Sequence, residues 1–242
     1  AVMAWKQSGG EEAFRGLGEA VTLIFRRTMD VVGRFSLLGD AETDLLNQEN
    51  LPEMVKRHKL DIVTTGSIEI ENDIDVSLKL SFWRAGKKPR GVRAKGLMRD
   101  MAGMLYTLIE NFLSTIGVKI DPELRAALKS GFPVRSEIIF AFGHALTEED
   151  DEAMLETLTF IATEDEKFSL PLLVLAELYA ETDPRRTEDY LIEAVEADPY
   201  DPQSYILLSN FISRQYSHRN REALDVLDDC FEIAPFCGDA HH

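Results

Sequence analysis

The chain has 242 residues, with 43 Asp and Glu against 26 Lys and Arg, and a formal net charge of −17. Its 45% hydrophobic and 29% charged residues are a globular composition and exclude a globally disordered chain. The longest apolar stretch, near Met101–Val118, is broken by Glu110 and Asn111, so no run reaches the roughly 18 residues of a membrane span.

The charge is unevenly placed. Residues 1–120 carry 17 Lys+Arg against 16 Asp+Glu, whereas residues 121–242 carry 9 against 27. So acidic a second half repels nucleic acid and anionic membrane. The two cysteines, Cys230 and Cys237, match no zinc spacing and cannot build a disulfide framework, so Cys230 reads as a buried free thiol.

Taken in chain order, Ala1–Trp5 is a short apolar run that reads as a buried strand bounded by Gly9-Gly10. The sequence is therefore expected to start inside a folded domain, behind a removed signal peptide, lipid anchor or earlier domain. Glu11–Val32 carries helical periodicity through Phe14, Leu17, Val21, Ile24, Phe25 and Met29. Acids at its start and Arg26 and Arg27 towards its end suit the helix dipole, Gly16-Leu-Gly18 lies inside it as packing, and Gly33 can stop it. Arg34–Leu38 reads as a strand and Leu51–Leu60 as a helix with Pro52 in its first turn. Asp61–Glu71 is the next strand, Asn72-Asp73 a turn, and Ile74–Trp83 alternates strictly through Val76, Leu78, Leu80 and Phe82. A short strand follows near Val92–Ala94, then a helix over Leu97–Ile116. This order predicts an α+β fold, with one mixed sheet packed against helices in an amino-terminal sandwich over residues 1–118.

From Asp121 strand signals vanish. A linker helix over Asp121–Lys129, within residues 119–133, leads into helices separated by short Asp/Pro/Thr-rich connectors. Self-similarity appears over 134–165, 168–199 and 201–235. The clearest unit carries Tyr205, Leu208, Ser209, Ile212, Ala223, Leu227, Cys230 and Pro235. The preceding one carries Leu172, Leu175, Ala176, Tyr179, Leu191, Ala194 and Pro199. The weakest carries Ile139, Phe142, Gly143, Leu146 and Leu158, with Ile161 where Ala194 stands and no closing Pro. Small residues at Gly143, Ala176 and Ser209 permit close helix approach, and the pattern resembles about three tetratricopeptide repeats forming an all-α helical hairpin solenoid.

The first half resembles the amino-terminal domain of TolB-like proteins, whose relatives include peptidoglycan-synthase activators, the curli secretion pore and flagellar outer-membrane factors. The matching residues are Ala1-Val-Met-Ala-Trp5, Gly16-Leu-Gly-Glu-Ala20, Arg34-Phe-Ser-Leu-Leu38 and, best, Asp61-Ile-Val-Thr-Thr-Gly-Ser-Ile68. Ala4 and Trp5 depart from the family's usual Pro and Phe, and Gln7-Ser-Gly-Gly10 from its Asn-containing loop. The resemblance implies a non-catalytic sandwich used in assembly or regulation, often beside tetratricopeptide repeats, at a bacterial cell envelope.

No catalytic motif is present. His58, His144, His218, His241 and His242 have no Cys, Ser or carboxylate at motif spacing, and His241-His242 reads as an added tail. The acidic run Glu148–Glu152 lacks the spacing and Gly of a calcium loop and reads as a helix start, and Asp73-Ile-Asp75 reads as turn chemistry. No cofactor or metal is expected. Arg84, Lys87, Lys88, Arg90, Arg93 and Lys95 fall in a stretch, closed by Arg99, that holds no acid. That stretch is either a solvated hairpin or a site for phosphate, anionic lipid or an acidic partner, the chain's own second half included.

In repeats of this type the first helix of each unit lines a groove. Register places Phe140, Leu173 and Ile206 in one row and His144, Glu177 and Asn210 in the next, with Glu148, Glu181 and Arg214 beyond. Only Asn210 and Arg214 suit a terminal carboxylate, so carboxylate capture is not expected. An apolar stripe with acidic edges suits a basic amphipathic helix or extended segment, or cover by the linker helix or another subunit. The expected function is a non-enzymatic interaction scaffold or adaptor in a larger assembly. A ligand-sensing module cut from a signalling protein and an unrecognised enzyme stay as alternatives.

Overall fold

The computed structural model describes residues 1–33, 35, 60–84 and 86–233. The strand expected at Arg34–Leu38 and the helix expected at Leu51–Leu60 fall almost wholly outside the described residues, as do His58, His241, His242 and Cys237. The chain divides into two units. One comprises Ala1–Arg26, the described part of Leu37–Ile120, and Val134–Thr147. The other comprises Arg27–Ser36, Asp121–Pro133 and Glu148–His242, as far as described. The architecture is α+β, as expected, with a mixed sheet of four strands among the described residues, and helices.

In the first unit the sheet runs in the order β1 (Lys6–Ser8), β2 (Ile62–Glu71), β3 (Asp75–Arg84), β4 (Arg90–Leu97). β1 is parallel to β2, and the other neighbours are antiparallel. The strand expected at Ala1–Trp5 is displaced to Lys6–Ser8. Residues 1–3 do lie along β2, through Thr64 N–H to the Ala1 carbonyl and Met3 N–H to the Thr64 carbonyl, both 2.9 Å. The Trp5 N–H instead donates to Thr22 Oγ1 at 2.9 Å, and that interrupts the ladder. Asn72 and Asp73 close the β2–β3 hairpin with φ of 53° and 55°, the left-handed backbone that a tight hairpin turn demands and these side chains tolerate.

Strand alternation puts Ile68, Leu78, Leu80 and Phe82 on one face, all but fully buried. Helix α1 (Leu17–Val32) and helix α2 (Met101–Ile116) cover that face. Phe112 of α2 lies 5.5 Å from Phe25 and 5.2 Å from Phe82 by ring centroid, joining both helices to the sheet. Burying each such ring contributes about 1.5–3 kcal/mol. Gly66 sits beneath the Trp5 ring, where any Cβ would collide with the indole.

The helix expected over Glu11–Val32 is split. A single 3-10 turn, Glu12–Phe14, precedes α1, because Gly16 has φ +74° and breaks the helical path. Gly16 is thus a breaker rather than a helix-interior residue. Its backbone lies against Gly143 of helix α4 (Ser136–Leu146), where a Cβ on Gly143 would stand 2.8 Å from the Gly16 carbonyl. Further contacts hold α4 in this unit. Phe140 meets Phe14 edge-to-face at 5.3 Å, and Ser136 Oγ accepts from Ala102 N–H and donates to the Arg99 carbonyl.

The second unit is helical: α3 (Pro122–Ser130), α5 (Asp151–Glu164), α6 (Leu170–Tyr179), α7 (Pro184–Ala197), α8 (Pro202–Gln215) and α9 (Asn220–Ile233), with the last turns of α1. Asp121, Asp150, Asp183 and Asp201 cap α3, α5, α7 and α8 through their carboxylates, and Pro fills the first turn of α3, α7 and α8. Asp150 accepts from the Glu152 and Ala153 N–H groups, so the acidic run is a helix start. Short connectors fold α6 on α7 and α8 on α9. One seam of Ala176, Leu191, Leu208, Ile212 and Ala223 runs through all four. Among the described residues no helix is long and apolar enough to cross a membrane.

Candidate functional surfaces

The residues read as groove-lining do not gather in one unit. Phe140 and His144 stand on α4 in the first unit; Leu173 and Glu177 stand on α6 and Ile206, Asn210 and Arg214 on α8 in the second. Phe140 is half-buried against Phe14. Leu173 packs on the α6–α9 seam. Ile206 is only 8% exposed and packs with Tyr205 and Cys230 against Val195 and Val226, so it is a core residue of its hairpin. Glu177, Asn210 and Arg214 are exposed.

The small positions keep their geometric role but meet different partners. Ser209 is buried on α8, and its hydroxyl donates to the Ala223 carbonyl of α9 at 2.8 Å, so the two helices approach closely. Ala176 does the same work on α6 within the seam. Cys230 is buried, as its type suggested, and its thiol donates to the Pro202 carbonyl at 3.7 Å. Gly143, by contrast, admits the backbone of Gly16.

Sequence reasoning missed the exposed apolar residues of these hairpins. Leu207 is 37% exposed and lies three residues before Asn210 and seven before Arg214, so the three form one stripe along α8. On α6 Leu178 is also 37% exposed, beside Glu177. The pattern hid them because Leu at helical spacing reads as core.

Sequence reasoning also missed a buried ionic node in the second unit. Arg27 and Asp198 have side chains only 2% and 0% exposed and are ion-paired. The Arg27 Nε–H donates to Asp198 Oδ2 at 2.7 Å, and its terminal nitrogens donate to the Ala127 and Leu128 carbonyls at 3.2 Å. Those carbonyls belong to the last turn of α3, where helical partners run out. Asp198 ends α7 and, three residues on, Asp201 caps α8, accepting from Ser204 Oγ–H at 2.7 Å and Gln203 N–H at 3.3 Å. Burial raises the pKa of Asp201 to about 6; nearby Arg27 opposes this and Asp198 adds to it. Burial likewise raises that of Asp198 against the pull of Arg27. Gly131 leaves room for the pair, since a Cβ there would collide with the Asp198 carboxylate. The only trace in the sequence is spacing: Arg27 lies three residues after Ile24, on the apolar stripe of α1.

The six basic residues also separate. Arg84 is half-buried and turns to the end of α2, donating to the Ile116 carbonyl at 3.4 Å. Lys87, Lys88 and Arg90 are exposed around the β3–β4 turn, and Arg93 and Lys95 are exposed on β4. Among the described residues no group of three or more His, Cys, Asp and Glu is placed to hold a metal ion. Comparison with known proteins returns no match, either to a family model or to a curated protein.

Proposed function

We propose that this chain is a non-enzymatic interaction scaffold whose helical hairpins hold a protein partner. The observation that carries this reading is the stripe of Leu207, Asn210 and Arg214 on α8. It is exposed on a hairpin whose own core is already closed by Leu208, Ile212 and Ala223. An apolar residue flanked by polar ones, on a rigid helix pair, is the anatomy of a partner-binding surface. The strong acidity of residues 121–242 favours a basic partner segment, helical or extended. The tetratricopeptide reading fits the repeat spacing of α6–α9. The TolB-like resemblance of residues 1–118 supports a place in a larger assembly, at a bacterial envelope.

The test is purification of the full chain with its bound proteins at low and moderate salt, with sizing and mass spectrometry. The comparison is a Leu207→Lys, Glu177→Lys double variant, both of whose sites are exposed. A stoichiometric partner lost from the double variant supports the proposal. Identical recovery with both proteins, or a lone monomer throughout, overturns it.

A further inference from the structure

Among the described residues β4 is the last strand of the sheet, and no strand pairs with its outer edge. An edge of eight residues is a template for another strand unless it is covered or repelled. Its two faces differ in chemistry. Gly96 lies on the covered side, where Met104 of α2 comes against it, and Val92 and Ala94 share that side by alternation. All three are half-buried, so the apolar layer continues to the rim.

The other side carries Arg93 and Lys95. The register aligns Lys6 with Ser67, Ser67 with Lys79, and Lys79 with Arg93, so three cations and one hydroxyl cross all four strands in one row. Lys79 and Arg93 are directly opposed and exposed, and among the described residues neither has a carboxylate partner. Like charges in that relation destabilise a sheet. Lys95 has only an open contact with Glu71 at 3.4 Å, each side chain 59% exposed. Lys87, Lys88 and Arg90 extend the same sign around the β3–β4 turn, and no acid occurs between residues 84 and 99.

We propose that the β4 edge binds an extended acidic polypeptide segment as a fifth strand. Carboxylates at alternate positions of the segment meet Arg93 and Lys95, and small apolar side chains between them lie beside Val92 and Ala94. A second copy of the chain is disfavoured at this edge, because pairing β4 with itself brings Arg93 and Lys95 against their own kind. This surface lies on the first unit and is independent of the α8 stripe.

The probe is a fluorescent octapeptide of alternating Val and Glu, titrated into the full chain and followed by anisotropy. Three comparators accompany it: the same peptide N-methylated at alternate residues, an alternating Val–Lys peptide, and vesicles of phosphatidylglycerol. Saturable binding of the Val–Glu peptide is expected, with added amide-exchange protection over residues 90–97 and at least tenfold loss on N-methylation. The exposed Arg93→Glu, Lys95→Glu variant should lose the Val–Glu peptide and gain the Val–Lys one. No binding by the Val–Glu peptide overturns the proposal. So does equal binding of the N-methylated form, which means charge attraction alone, or binding of vesicles without the peptide. Because none of these readouts alters Leu207 or Glu177, they fail or succeed separately from the scaffold proposal.

Discussion

Replacing Arg27 by Met tests whether the ionic node holds the helical unit together. Met keeps the length and apolar stem of the side chain but removes the guanidinium. That strands the Asp198 carboxylate, whose side chain is 0% exposed, and removes the donors that serve the Ala127 and Leu128 carbonyls. Breaking one partner of a buried pair costs about 3–5 kcal/mol, because the remaining charge has no water to return to. Asp198→Asn alone leaves the cation without its counter-charge and belongs in the same range. The double variant removes both charges and should cost clearly less than the sum, with a coupling of about 1–3 kcal/mol. The assay is urea denaturation followed by far-ultraviolet circular dichroism, with the four proteins of the cycle compared at one pH. A loss under about 1 kcal/mol for Arg27→Met, or strict additivity, would refute the reasoning that this pair is desolvated and mutually dependent.

Two further outcomes follow from the same physics. Asp201 has its folded pKa raised to about 6 from an ordinary 3.8, so the folded state binds its proton more readily than the unfolded state. Stability of the helical unit should therefore fall as pH rises from about 4 to about 6. The change is of the order of 3 kcal/mol at most, and Asp201→Asn, which keeps the cap without the charge, should flatten that part of the profile. Denaturation at steps from pH 4 to 7 checks it; a rise in stability across the window in the wild type but not in the variant would contradict the assignment. Gly143→Ala should destabilise the first unit by about 1–3 kcal/mol, because its Cβ meets the Gly16 backbone, which cannot swing aside as a side chain would. Urea denaturation followed by the fluorescence of Trp5 and Trp83, both in the first unit, checks it, and an unchanged midpoint would contradict the steric reading.

Much of this molecule follows from local pattern. The alternation of Val76, Leu78, Leu80 and Phe82 specifies which side of β3 is buried, and Met101, Leu105, Leu108 and Phe112 specify the stripe of α2. The left-handed Asn72-Asp73 turn and the Asp-Pro helix starts are equally local, because backbone geometry and capping act within a few residues. Pattern does not say what a surface packs against. Gly143, Ala176 and Ser209 look equivalent, since each is small at the same repeat position. The fold sets the first against Gly16 and the other two within helical hairpins. Arg27 sits on an apolar stripe, yet its partner is 171 residues away. Ile206 looked like a ligand-facing residue and is core, whereas its neighbour Leu207, which the repeat pattern assigned no role, is exposed. Periodicity specifies the angle of a side chain about its helix axis. Which neighbour occupies that angle depends on contacts between distant segments, and only the tertiary structure decides them.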